Sequence, residues 1–224
     1  MTTASTQLVL VRHGETPANR DRRFQPYATP LSDLGRAQAA RVGERLAAGP
    51  PASALYTSDL ARAAETAAII GAHLGLDPRV APVLRELDVG DLKGHPHGVA
   101  EGIHPGGYEG WIAGGGLARL PGPDGECLDD LVARVVPWLV GLHAAHPGQR
   151  VVVVSHGLTL GVAIAHLLGW EQREAFRTRR VRLLNTAVTE IELATAGPAQ
   201  CRLLACAAHL EPDLQGAGSG IGPA

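Results

Sequence analysis

The sequence predicts an α/β fold, a three-layer α/β/α sandwich with a mostly parallel central sheet, and three observations predict it. "QLVLV" (7–11) and "RVVVVS" (150–155) are continuous apolar runs, the pattern of strands covered on both faces. Helix-length amphipathic patterns alternate with these runs, as crossover helices must when the strands they join are parallel. The chain of 224 residues has ordinary apolar content and can bury one large core.

The elements follow in order. The first strand stops at a polar cluster, "RHGETPANR" (12–20). A helix over 32–48 is expected to be capped by Ser32 or Asp33. "ALYTS" (54–58) reads as a shorter strand, and a helix over 58–74 is expected to open at Ser58 or Asp59. From 90 to 125 the chain is dense in Gly, Pro and His without periodicity. This predicts an inserted excursion over one end of the sheet, where lids and specificity loops occur. A helix over 128–143 contains Pro137, expected to kink or break it. After the strand at 150–155 a helix starts past His156 and reaches Leu168. Strands at 186–193 and 201–206 are joined by a "TAGPAQ" turn. One domain is expected over 1–210, and a disordered tail over 211–224.

Composition removes several classes of function. A formal charge of −2 gives no general attraction to nucleic acid or membrane surfaces. No apolar run reaches the ~20 residues a membrane helix needs, and "MTTASTQ" lacks the pattern of a secretory signal, so a cytoplasmic location is expected. Cys127, Cys201 and Cys206 lack CxxC spacing and signal neither a disulfide framework nor zinc. Lys93 is the only lysine, so arginines must be judged by position rather than by number.

His13 and His156 each follow an apolar strand and precede a glycine. In a parallel sheet both fall at the carboxyl edge, where open α/β folds place their ligand crevice. Glycine there permits close backbone approach and leaves an N–H for an anion. Arg12 adjoins His13, and Arg62 falls in the first turn of the helix after 58. Two arginines and two histidines make a cationic pocket suited to a dianion such as a phosphoryl group. Phosphoryl transfer also needs a proton donor for the departing oxygen. Glu86, between Leu84 and Leu87, is a candidate whose apolar neighbours would disfavour its charged form, with Asp88 and Asp91 as competitors.

"RHGET" with Asn19, "RFQ" (23–25), "PLSDLGRAQA" (30–39), "YTSDLARAAETA" (56–67), "LRELDVGDLKG" (84–94), "GECLDDLVARV" (125–135), "VVVVSHG" (151–157) and "LLNTAVTEIEL" (183–193) form an ordered set. Together they resemble the histidine phosphatase superfamily, which includes phosphoglycerate mutases, over nearly the whole chain to about residue 205. The resemblance implies that His13 is the nucleophile and becomes a phosphohistidine. Arg12, Arg62 and His156 would bind the phosphoryl oxygens. Thr16, Asn19, Gln25 and the backbone N–H of Gly157 would complete the cradle, and Glu86 would act as general acid and then base. It implies a small phosphomonoester as substrate, with no metal and no cofactor; homo-oligomerisation is left open.

Two positions depart from the family's pattern: Pro26 stands where a glycine is usual after "RFQ", and Lys93 replaces an acid. Mutases of the family carry a tyrosine shortly after the acid and paired arginines in the inserted segment. Here Val89 takes the first position, and 90–125 contains only Arg119. A phosphatase is therefore expected over a cofactor-dependent mutase, and, because all five central residues are present, over an inactive module that binds phosphorylated ligands. "GHPHG" (94–98) with His104 has loop-like spacing rather than a metal pattern. "GGG" (114–116) lacks the strand that a dinucleotide loop needs, and the arginines of 173–182 read as a solvated surface.

Overall fold

The computed structural model describes residues 5–102, 107–194 and 197–215. Among these, six strands form one sheet: β1 (Thr6–Arg12), β2 (Ala54–Thr57), β3 (Arg79–Val80), β4 (Arg150–Ser155), β5 (Val188–Leu193) and β6 (Gln200–Cys206), in the order β3-β2-β4-β1-β5-β6. β1, β2, β3 and β4 are mutually parallel, while β5 runs against both β1 and β6. The helices are α1 (Pro17–Arg20), α2 (Asp33–Ala47), α3 (Ala61–Leu74), α4 (Gly107–Ala113), α5 (Leu128–Ala145), α6 (Gly157–Leu167) and α7 (Gln172–Arg177).

The apolar runs are continuous because the sheet is covered on both sides. Alternate residues serve opposite faces. Leu8, Leu10, Val151 and Val153 pack with Leu131, Val135 and Leu139 of α5 and with Leu160 and Ile164 of α6. Val9, Val11, Val152 and Val154 pack with Val42 and Leu46 of α2 and with Ala63, Ala67 and Ile70 of α3. These are the three expected layers.

Several boundaries move, each for a local reason. The α3 helix opens at Ala61 rather than at Ser58 or Asp59. The Ser58 hydroxyl accepts from Leu60 N and meets His156, and Asp59 is paired with Arg85, so neither caps the helix. Nor does Pro137 end α5, which runs unbroken through it. The proline faces solvent, while Leu131, Val135, Leu139 and Leu142 are buried on the other side. Their burial, each worth about 1.5–3 kcal/mol, outweighs a proline cost of about 3 kcal/mol. The β5 strand starts at Val188 because Thr186 takes a left-handed turn (φ 56°).

The 90–125 segment is more than a loop. It carries α4, and Tyr108, Trp111, Ile112 and Leu120 join the same core as α5 and α6. "GGG" closes α4, with Gly115 and Gly116 in the left-handed conformation at φ 75° and 65°. At the carboxyl end, Pro212–Leu214 is a single turn, and Gln38 Nε2 donates to the Leu214 carbonyl (2.8 Å). The expected tail is therefore ordered at its start, and 216–224 lie outside the described residues.

Candidate active site

Strand register builds the centre of the site. β1 and β4 are adjacent, with Arg12 opposite Ser155. Both chains therefore leave the sheet together, and His13 N donates to Ser155 O (2.9 Å). The two imidazoles that follow stand 5.2 Å apart between ring centroids. Gly14 is required by close approach: a Cβ there would lie 2.4 Å from the Gly35 carbonyl of α2. Its N–H is not offered to an anion, because it donates to Thr66 Oγ1 (3.0 Å). Asn185 holds the turn from the other side, donating to the His13 carbonyl (2.9 Å).

His13 is buried, and its Nδ1 lies 2.7 Å from the Gly14 carbonyl. A carbonyl can only accept, so Nδ1 carries the proton and Nε2 keeps its lone pair. Burial, then the charges of Arg62 and Arg12, hold the ring well below the usual histidine range, so it is neutral at pH 7. His156 is also neutral, through burial and then the Arg62 charge. Its Nε2 meets Ser58 Oγ (2.9 Å), while its buried Nδ1 has no hydrogen-bond partner among the described residues.

Two buried arginines frame the histidines. Arg12 Nη1 donates to the Leu183 carbonyl (2.6 Å), and Arg62 Nη1 donates to the Pro26 carbonyl (3.3 Å). Burial lowers both guanidinium pKa values to about 10, against the pull of Glu86, so both remain cationic at neutral pH. Arg62 Nε is a second buried nitrogen without a partner among the described residues. Pro26 lacks an N–H but supplies the carbonyl that Arg62 uses.

Glu86 is oriented by the first turn of α6. Leu87 N, Leu158 N, Thr159 N and Thr159 Oγ1 all donate to its carboxylate at 3.0–3.1 Å. Its surroundings are thus hydrogen-bond donors rather than the apolar shield expected from Leu84 and Leu87. Of the competitors, Asp88 shares the cleft wall with Glu86. Asp88 is engaged by Tyr27, by Lys93 (2.5 Å) and by Gly90 N, and Asp91 is not on the cleft wall.

A cleft of 250 Å³ is lined by Arg12, His13, Asn19, Gln25, Arg62 and Glu86 among others. The predicted cradle thus divides. Asn19 and Gln25 reach the cleft wall, whereas Thr16 is fully buried, capping α1 and donating to Gln25 Oε1 (2.9 Å). Gly157 is the first residue of α6 and borders a neighbouring apolar cavity together with Arg12 and Leu158. Sequence reasoning missed Ser58, Asn185, Tyr27 and Tyr108. Ser58 and Asn185 lay inside the quoted motifs, but Tyr108 sits on a helix whose periodicity is masked by glycines. Arg119 turns away to Asp130 and the Gly125 carbonyl. Among the described residues no cluster of three or more His, Cys, Asp or Glu is placed to hold a metal, and His104 lies outside them. No described helix is long and apolar enough to cross a membrane. Arg173, Arg177 and Arg179 pair with acids, and Arg180 lies over the Trp170 ring.

The fold and this sheet-edge cluster place the protein in the α/β class with a buried imidazole at the carboxyl edge of the sheet. The chain belongs to the histidine phosphatase superfamily (branch 1), whose model matches residues 8–205. It is 36% identical over 208 residues to phosphoglycerate mutase-like protein 4 of Arabidopsis thaliana, covering 92% of this chain and 87% of that one. Mycobacterial glucosyl-3-phosphoglycerate phosphatase with VO3 superposes with a TM-score of 0.76 at 30% identity, over 90% of this chain and 99% of that one. The alpha-ribazole phosphatase of Shigella flexneri gives 0.77 at 27% identity, over 89% and 96%.

Proposed function

We propose that the protein is a phosphomonoesterase that hydrolyses a small phosphorylated metabolite through a phosphohistidine on His13. One observation carries this reading. Around a neutral imidazole with a free Nε2 lone pair, the fold buries two cationic arginines and leaves two nitrogens, Arg62 Nε and His156 Nδ1, without partners among the described residues. Each unsatisfied buried donor costs about 1–3 kcal/mol, and the oxygens of a phosphoryl group would satisfy both. The phosphatases among its structural neighbours support the hydrolytic reading.

In the first step His13 Nε2 attacks phosphorus, the ester P–O bond breaks, and the Glu86 carboxyl gives its proton to the leaving alkoxide. In the second step Glu86 takes a proton from water, which displaces His13 and releases inorganic phosphate. Arg12 and Arg62 hold the equatorial oxygens in both transition states. Neither step calls for a metal. The family also contains mutase-named relatives. Hydrolysis is favoured because Val89 replaces the mutase tyrosine and the 90–125 segment sends no arginine into the cleft among its described residues.

The test is p-nitrophenyl phosphate hydrolysis in excess EDTA, comparing wild type with His13→Ala. Metal-independent turnover by the wild type and a loss of at least about a thousandfold in the variant (~4 kcal/mol) are expected. No wild-type turnover across a panel of phosphomonoesters would overturn the reading. Rapid conversion of 3-phosphoglycerate to 2-phosphoglycerate with 2,3-bisphosphoglycerate present would make it a mutase.

A further inference from the structure

The cleft continues beyond the phosphoryl cluster, and the cations along its outer wall are not equivalent. Arg20 is paired with Asp21, Arg23 Nη1 donates to the Gly94 carbonyl (2.7 Å), and Lys93 is paired with Asp88. The His97 ring bonds the backbone of Arg23 and packs on Phe24 at 4.5 Å. Arg22 differs: it is exposed in the cleft, and its guanidinium makes no hydrogen bond or ion pair among the described residues.

Its backbone is unusual as well. The α1 helix ends in a Schellman motif: Arg23 N donates to the Ala18 carbonyl (2.9 Å) and Arg22 N to the Asn19 carbonyl (3.2 Å). Arg22 fills the left-handed position of that motif, at φ 50°. Glycine, or sometimes asparagine, normally occupies it, because a side chain there is strained. His97 N locks the turn by donating to the Arg22 carbonyl (2.9 Å), which ties it to a segment that also lines the cleft. A long cation is thus held in a conformation that disfavours it, pinned at the cleft mouth, with its charge unpaired among the described residues. Strain of this kind concentrates at ligand sites.

We infer that Arg22 is a specificity-determining residue that binds a second anionic group, a carboxylate or another phosphate, on the non-reacting part of the substrate. This rests on the phosphatase reading and narrows the substrate class to phosphomonoesters with at least one further negative charge. Arg22 does not touch the transferred phosphoryl group. Its contribution is to hold the remainder of the substrate by a charge-assisted contact.

The experiment measures kcat/KM for two pairs matched in carbon skeleton: 3-phosphoglycerate against glycerol 1-phosphate, and fructose 1,6-bisphosphate against fructose 6-phosphate. Wild type should favour the more acidic member of at least one pair. The affected pair tells carboxylate from phosphate. That preference should fall about tenfold in Arg22→Gly and Arg22→Ala, and stay within about threefold in Arg22→Lys, which keeps the charge. Arg22→Gly should also melt about 2–4 °C higher than wild type, since glycine relieves the left-handed turn, whereas Arg22→Ala should not. Unchanged preference in both pairs for Arg22→Gly, with turnover intact, overturns the inference and leaves the phosphatase reading standing. If the wild type turns over nothing, that reading fails and calorimetric affinities for the same four compounds decide on Arg22. Selective weakening of an acidic member supports the inference, and equal or no weakening overturns it.

Discussion

At the scale of single residues, the site depends on which nitrogen carries which proton. Gly14 O sets the tautomer of His13, and Ser58 Oγ is the partner of His156 Nε2 (2.9 Å). Because Ser58 already accepts from Leu60 N (3.1 Å), its own proton is free to point at His156 Nε2. When it does so, Nδ1 of His156 carries the ring proton and is a donor. Removing the hydroxyl in Ser58→Ala should lower kcat on p-nitrophenyl phosphate about tenfold (~1.4 kcal/mol), and shift the acid limb of the pH profile. An unmoved profile would show that Ser58 only fills space. The same two imidazoles make stability depend on pH. Both stay neutral well below the ordinary histidine value of 6.5 when folded. Between pH 6.5 and the folded values, the unfolded chain therefore binds protons that the folded chain does not. Stability is fully present above pH 6.5 and declines as the pH falls, by about 1.4 kcal/mol per unit for each histidine. Urea unfolding at pH 7.5 and 5.0 checks this. His13→Asn combined with His156→Asn should flatten the slope, and an identical slope in both proteins would contradict the assignment.

At the scale of elements, what could be read from the sequence depended on how locally each signal was stored. Strands β1 and β4 announced themselves, because burial on both faces demands unbroken apolar runs. Ser32 capped α2 as expected, its hydroxyl accepting from Gly35 N (3.0 Å). The pairing of His13 with His156 was legible for the same reason, since each ends a recognisable strand. Glu86 was legible as a residue, but its hydrogen bonds to α6 are contacts between distant parts of the chain that no local pattern records. The same limit hid the start of α3, because Ser58 is engaged by a histidine 98 residues away. The 90–125 segment was read as an excursion because glycines interrupt its period, yet α4 joins the main core through Trp111, which is 1% exposed. Trp111→Ala should therefore cost about 3–5 kcal/mol of global stability in urea unfolding. A segment resting loosely on the surface would lose almost none.

At the scale of the whole molecule, the chemistry follows from topology. Parallel β1 and β4 side by side deliver two histidines and Arg12 to one edge. The first turn of α3 brings Arg62 to that edge from one face of the sheet, and α6 orients Glu86 from the other. The proposed reaction turns on transient phosphorylation of His13. Rapid alkaline quenching of the enzyme during turnover, followed by intact mass measurement, tests it most directly. One added phosphoryl group is expected on wild type, labile in acid as a phosphorus–nitrogen bond should be, and none on His13→Ala. Turnover by His13→Ala at a rate near wild type, or an acid-stable adduct on another residue, would contradict it.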